Sequence, residues 1–142
     1  MNNPLFFVFL VPLIMDVLGT VAGQRREYWV SKYKKYDEAM PIAHWLLQLH
    51  PVVFIIACLG FWIPVTYILV LYLPEPYNLW VSMILFSGHS YNSVAWLRKT
   101  QANLGIFQGK GRVSIALSLI PMALYVIFIG FIATWGLLQY VS

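Results

Sequence analysis

Two residues with ionisable side chains, Asp16 and His89, stand inside otherwise apolar stretches of this chain. Such a group is costly in hydrocarbon, so its presence there needs a reason. A carboxylate and an imidazole together can form a pair that avoids two isolated costs. They can also set up a general base held by an acid, or give two ligands to a metal. On a helix, Thr20 lies four residues after Asp16, Asn92 three after His89, and Ser93 four after it, so these polar residues share the same faces.

Each chemistry makes its own demands. Zinc or iron accepts carboxylate and imidazole, and Asp16, His89 and one of Asn92, Glu38 or His50 are ligands of suitable type. The sequence has neither an H-x-x-x-H nor an H-x-x-E-H spacing, so no cofactor is predicted and a metal at Asp16 and His89 stays an alternative. Internal haem held by two histidines needs a second deep histidine, and His44 and His50 sit close to an interface. Ser93 with His89 and Asp16 makes a formal catalytic triad, but the sequence shows no oxyanion hole. A proton or ion path would use the same polar groups, within a lumen that four helices alone barely provide. Gly105, Gly109 and Gly111 with Lys110 lack the spacing of a phosphate loop and follow no strand. Mutual pairing of Asp16 with His89 is the favoured reading.

The elements that position these residues follow from composition. Hydrophobic residues make up 61% of the 142 and charged ones only 10%. A soluble domain is about half apolar and about a quarter charged, so most of this chain is solvated by lipid. Four apolar stretches, at about 4–23, 51–73, 77–97 and 113–140, predict an all-α membrane protein of four transmembrane helices in an antiparallel bundle, a single membrane domain over 1–142. Gly19 and Gly23 give the first stretch a G-x-x-x-G spacing that lets another backbone come close. Segment 42–50 predicts a short interfacial helix, with Pro51 ending it or opening the spanning helix, and Pro64 predicts a kink. Arg98 and Lys99 mark the expected end of the third stretch. Cys58, the single cysteine, excludes an internal disulfide and reads as a small hydrophobe. The first apolar run has its cations behind it, at Arg25 and Arg26, the reverse of a cleaved signal.

Charge gives the threading. Loop 24–50 holds Arg25, Arg26, Lys32, Lys34 and Lys35, and loop 98–112 holds Arg98, Lys99, Lys110 and Arg112, which together are all nine cations. The positive-inside rule puts both loops in the cytoplasm and both termini on the other side. It also accounts for the net charge of +4 without nucleic acid. Tyr28, Trp29, Tyr33 and Tyr36 lie among the cations of the first loop, a mixture suited to lipid headgroups, which each cation would favour by about 1 kcal/mol. Counted from the cytoplasmic ends at 1.5 Å per residue, Asp16 lies about 11 Å deep and His89 about 12 Å, one level on two helices. Thr20 with Asn92 or Ser93 forms a second level, about 5–8 Å deep.

Asp16-x-x-x-Thr20 followed by Glu38-Ala39-Met40-Pro41 resembles a poorly characterised family of small prokaryotic four-helix integral membrane proteins. That family pairs Asp-x-x-x-Thr on its first helix with Glu-Ala-Asn-Pro before its second. Met40 replaces the asparagine here, and the intervening loop is longer and more basic. The resemblance implies the membrane topology, a prokaryotic cytoplasmic membrane, and an interest in Asp16, Thr20 and Glu38. The functional expectation is a small accessory subunit that packs aromatic outer faces against other membrane protein subunits, more an assembly component than an enzyme. The alternative is a membrane enzyme or an ion or proton transporter with its site at Asp16 and His89.

Overall fold

The computed structural model describes residues 3–38, 40–105 and 111–142. Met1 and Asn2, Ala39 of the Glu38–Pro41 segment, and Gly109 and Lys110 of the second loop lie outside the described residues. The described residues form six helices and no strand: α1 (Leu5–Ala22), α2 (Arg26–Val30), α3 (Pro41–Leu49), α4 (Pro51–Tyr72), α5 (Tyr77–Asn103) and α6 (Arg112–Val141). The helices α1, α4 and α6 are long and apolar enough to cross a membrane. Helix α5 has the length, at 27 residues, but its serines, His89 and three asparagines lower its hydropathy.

Local chemistry explains the boundaries. Asn3 accepts the Leu5 N–H on Oδ1 at 3.0 Å and so caps a helix that Pro4, with φ −64°, is shaped to start. Pro41 and Pro51 each take a first-turn position of α3 and α4, and the residues before them, Met40 and His50, are extended as a following proline requires. His50 therefore ends α3 and caps α4, its Nδ1 accepting the Val52 N–H at 3.1 Å. Pro51 thus has both roles the sequence offered: it stops the interfacial helix and opens the long one. Helix assignment runs unbroken through Pro64 and Pro121.

Helix α5 continues past the expected stop at Leu97 to Asn103. The added turns hold the end of α1. Asn103 Nδ2 donates to the carbonyls of Gly23 (2.8 Å) and Gln24 (3.0 Å), which have no partner further along their own helix.

Helix α1 lies at the centre and packs chiefly on α5, then on α6 and α4. The α1–α5 contact depends on missing side chains. A Cβ on Gly19 would stand 2.9 Å from Trp96 Cβ, and one on Gly23 only 2.4 Å from Trp96 Cε3. Trp96 fills the groove that the G-x-x-x-G spacing leaves. Two apolar clusters flank the polar level. Leu5, Val8, Phe9, Leu13, Val70 and Ala133 form one, and Val17, Tyr28, Leu47 and Phe54 form the other. Asp16 and Thr20 come from α1 between them.

Candidate functional site: an acid–imidazole pair in an interhelical cavity

Asp16 occupies the α1 face that turns toward α5, one residue from the buried Val17, and the residue is only 9% exposed. His89 comes from the middle of α5, and its Nδ1 stands 2.7 Å from Asp16 Oδ2. An ionised carboxylate can only accept, so Nδ1 donates; in the neutral ring Nε2 is then a lone-pair acceptor. Asn92, one turn further along α5, donates from Nδ2 to the same Asp16 oxygen at a long 3.4 Å. Asp16 Oδ1 and His89 Nε2 have no hydrogen-bond partner among the described residues.

Thr20 is 4% exposed and turns inward, but it does not bond the carboxylate. Its hydroxyl donates to the Asp16 main-chain carbonyl at 2.8 Å, which leaves Oγ1 as an acceptor. Ser93 is buried and faces elsewhere. It donates to the Ser90 carbonyl at 3.0 Å and accepts the Tyr125 hydroxyl of α6 at 2.8 Å. The i+4 spacing from His89 is therefore spent on binding α5 to α6, and the serine, histidine and aspartate do not form a relay. Ser90 Oγ is buried without a partner among the described residues.

Asp16, Thr20, His89 and Asn92 open on one cavity of about 350 Å³. Its apolar wall includes Leu46 of α3, Phe54, Cys58 and Trp62 of α4, and Trp96 of α5. Its remaining charged groups, Asp37, Glu38 and Lys99, come from the segment before α3 and from the extension of α5. By sequence, Lys99 falls in loop 98–112, and Asp37, within loop 24–50, has no assigned role. Lys99 Nζ is 3.0 Å from Asp37 Oδ2 and 4.1 Å from the centre of the Trp96 ring. Arg25 Nε approaches the same Asp37 oxygen at 3.7 Å. Gln24 fastens the segment from behind: its Oε1 accepts the Asp37 N–H at 2.8 Å and its Nε2 donates to the Asp37 carbonyl at 3.2 Å and the Thr20 carbonyl at 2.9 Å. A glutamine directly after an apolar helix, where the last carbonyls need donors, is the signal that could have found this clasp.

The remaining expected residues lie apart from the cavity's polar centre. Arg25, Arg26, Lys32, Lys34 and Lys35 are exposed, as headgroup contacts would have to be. His44 bonds the Glu38 carbonyl through Nε2 and stacks near Tyr36, and His50 caps α4. Neither approaches His89 through any described contact. Among the described residues no group of three or more His, Cys, Asp or Glu side chains could hold a metal ion. Asp16 and His89 give two protein ligands, and structural or catalytic zinc requires three or four.

Near this site Tyr28 of α2 is fully buried and donates its hydroxyl to the Leu47 carbonyl at 2.9 Å, which docks α2 on α3. Burial, and then the neighbouring Tyr33, push its phenol up to about 12. Lys32 and Tyr33, at φ 52° and 74°, make the left-handed corner that turns the chain back after α2.

Comparison with protein-family models, with curated proteins and with solved structures gives no match.

Proposed function

We propose that this chain is an integral membrane protein of four spanning helices, α1, α4, α5 and α6, that binds a small amphiphilic molecule in its interhelical cavity and accepts a proton from it at His89. Both cation-rich loops face the cytoplasm and both termini the opposite side, on the nine-to-zero division of the cations. A prokaryotic cytoplasmic membrane suits that division. The observation that carries the proposal is the Asp16–His89 bond at the wall of a cavity, with Nε2 unbonded. An acid that holds one ring nitrogen while the other stays bare is the arrangement of a general base. Apolar walls with a few convergent polar groups also fit a ligand site, and about 350 Å³ is at the small end of such sites. Asp16, Thr20 and Glu38, on which the resemblance to the four-helix family rests, all line this cavity.

The test is chemical. The full chain in nanodiscs, treated with diethylpyrocarbonate near neutral pH and analysed by peptide mass spectrometry, should carry a carbethoxy group on His89. An unreactive His89 beside reactive His44 and His50 would remove the proton acceptor.

A second reading, an accessory subunit packed against other membrane proteins, is favoured by α6. Only 6% of its most apolar window is buried by the rest of the chain, against 39% for α1. Its test is stoichiometric co-purification of partner subunits from native membranes in mild detergent.

A further inference from the structure

The hydrogen-bonding capacity left over in the cavity defines its ligand. Asp16 spends one carboxylate oxygen on both of its donors, and Oδ1 receives none, although the residue is about nine-tenths buried. An oxygen of a cavity-lining residue that receives no donor from the protein is open to one from a ligand. In the neutral ring, whose one N–H on Nδ1 donates to Asp16, His89 Nε2 is a bare acceptor. Thr20 has one hydroxyl hydrogen, and the Asp16 carbonyl holds it, so Oγ1 too can only accept. Three acceptors with no assigned donor thus line one wall.

Charge points the same way. The cavity is lined by three carboxylates, Asp16, Asp37 and Glu38, and one ammonium, Lys99. That ammonium is already engaged by Asp37 at 3.0 Å, so it is not available to attract an anion. Lys99 also shows what the aromatic wall accepts, since its Nζ stands over the Trp96 ring.

Resting on the ligand-binding reading above, we infer that the cavity takes an organic ammonium ion with an apolar body: a primary amine whose N–H groups meet Asp16 Oδ1 and His89 Nε2 while its carbon skeleton lies against the Phe54 and Trp96 side of the cavity. The donors of such an ion complete the acceptors, its charge answers the Asp16 carboxylate, and its skeleton displaces water from apolar surface. A carboxylate or phosphate of equal size would face acceptors and like charge.

Three probes of one skeleton test this: phenethylammonium, the neutral phenethyl alcohol and the anionic phenylacetate. Each is titrated into the full chain in nanodiscs of zwitterionic lipid, and the side-chain 15N signals of His89 are followed. Phenethylammonium should shift these signals saturably. The alcohol should bind at least tenfold more weakly, and phenylacetate should not bind. Asp16→Asn should remove the preference for the cation; if that variant does not fold, the three-probe comparison on the unaltered chain decides alone. Equal binding of the alcohol and the ammonium would overturn the ammonium class and leave the pocket standing. So would tightest binding by phenylacetate, with Lys99 then governing the site. No saturable shift with any of the three would overturn both the ammonium class and the pocket reading beneath it.

Discussion

If Asp16 and His89 stabilise only each other, two leucines should replace them with little loss. The perturbation is therefore the set Asp16→Leu, His89→Leu and the double variant. Leucine makes no hydrogen bond, so each single change removes the interaction without adding another. A hydrogen bond with a charged partner contributes about 1.5–3 kcal/mol. The two side chains are 12% and 22% exposed, so water partly screens the pair, and the lower half of that range applies. His89→Leu should be the costlier single change, at about 2 kcal/mol or more, because it leaves a mostly buried carboxylate with only the long Asn92 contact. Asp16→Leu leaves an imidazole that can stay neutral, and should cost about 1 kcal/mol. The double variant should return to within about 1 kcal/mol of the original chain, since replacing both partners of a buried pair by apolar groups is close to neutral. The coupling between the sites is then at least about 1.5 kcal/mol. Reversible unfolding in mixed micelles, driven by sodium dodecyl sulfate and followed by far-ultraviolet circular dichroism, gives all three values. Additive single effects, with coupling under about 0.3 kcal/mol, would refute the pairing as an energetic unit. A stable double variant without ligand binding would separate the pair's chemical role from its structural one.

Three further outcomes follow from the packing. Gly23→Val should destabilise by about 1–3 kcal/mol in the same assay, because its Cβ would stand 2.4 Å from Trp96 Cε3, whereas Gly88→Ala, with nothing within 4 Å, should be neutral or stabilising by about 0.5–1 kcal/mol. Tyr28 has its phenol raised to about 12 from an unfolded value near 10, so its contribution to stability is fully present below pH 10 and is lost as pH rises through 12. Difference absorbance of the tyrosinate band between the parent chain and Tyr28→Phe should show that late step, and a step near pH 10 would contradict the burial. Lys32→Gly relieves a non-glycine residue at φ 52°, and should raise stability by up to about 1 kcal/mol if the corner at 32–33 keeps its turn.

The long apolar helices α1, α4 and α6 were legible because apolar length needs no tertiary information. All four boundaries at the prolines, Pro4, Pro41, Pro51 and the pair at Pro74 and Pro76, follow from one residue's geometry. The far end of α5 was not legible. Arg98 and Lys99 look like a stop at a membrane surface, but the helix continues because Asn103 reaches carbonyls 79 and 80 positions back in the chain. Depth counting put Asp16 and His89 on one level without any knowledge of which faces would meet. That count could not give the partner of Ser93, since nothing near it in sequence signals that Tyr125 would donate to its oxygen. Asp37 was invisible for a related reason. Amid five cations an acid reads as charge balance, and only its contacts with Gln24 and Lys99 bring it to the cavity.

Those contacts make the cavity a composite of long-helix and loop parts. Asp16, Thr20, His89 and Asn92 belong to long helices held by Trp96 in its glycine groove. Asp37, Glu38 and α3 belong to the segment that Gln24 and Lys99 hold down. Each clasp bond is modest, and the Lys99–Asp37 pair is exposed enough that its worth is about 1 kcal/mol or less. The acid–imidazole pair is therefore fixed by packing, as is α3 through Leu47, while Asp37 and Glu38 depend on a few weak bonds in series. Weak bonds in series open at small cost, which is what a site needs if its ligand enters from the side of the cationic loops. Rigidity sits at the acid–imidazole pair, and looseness sits at Asp37 and Glu38.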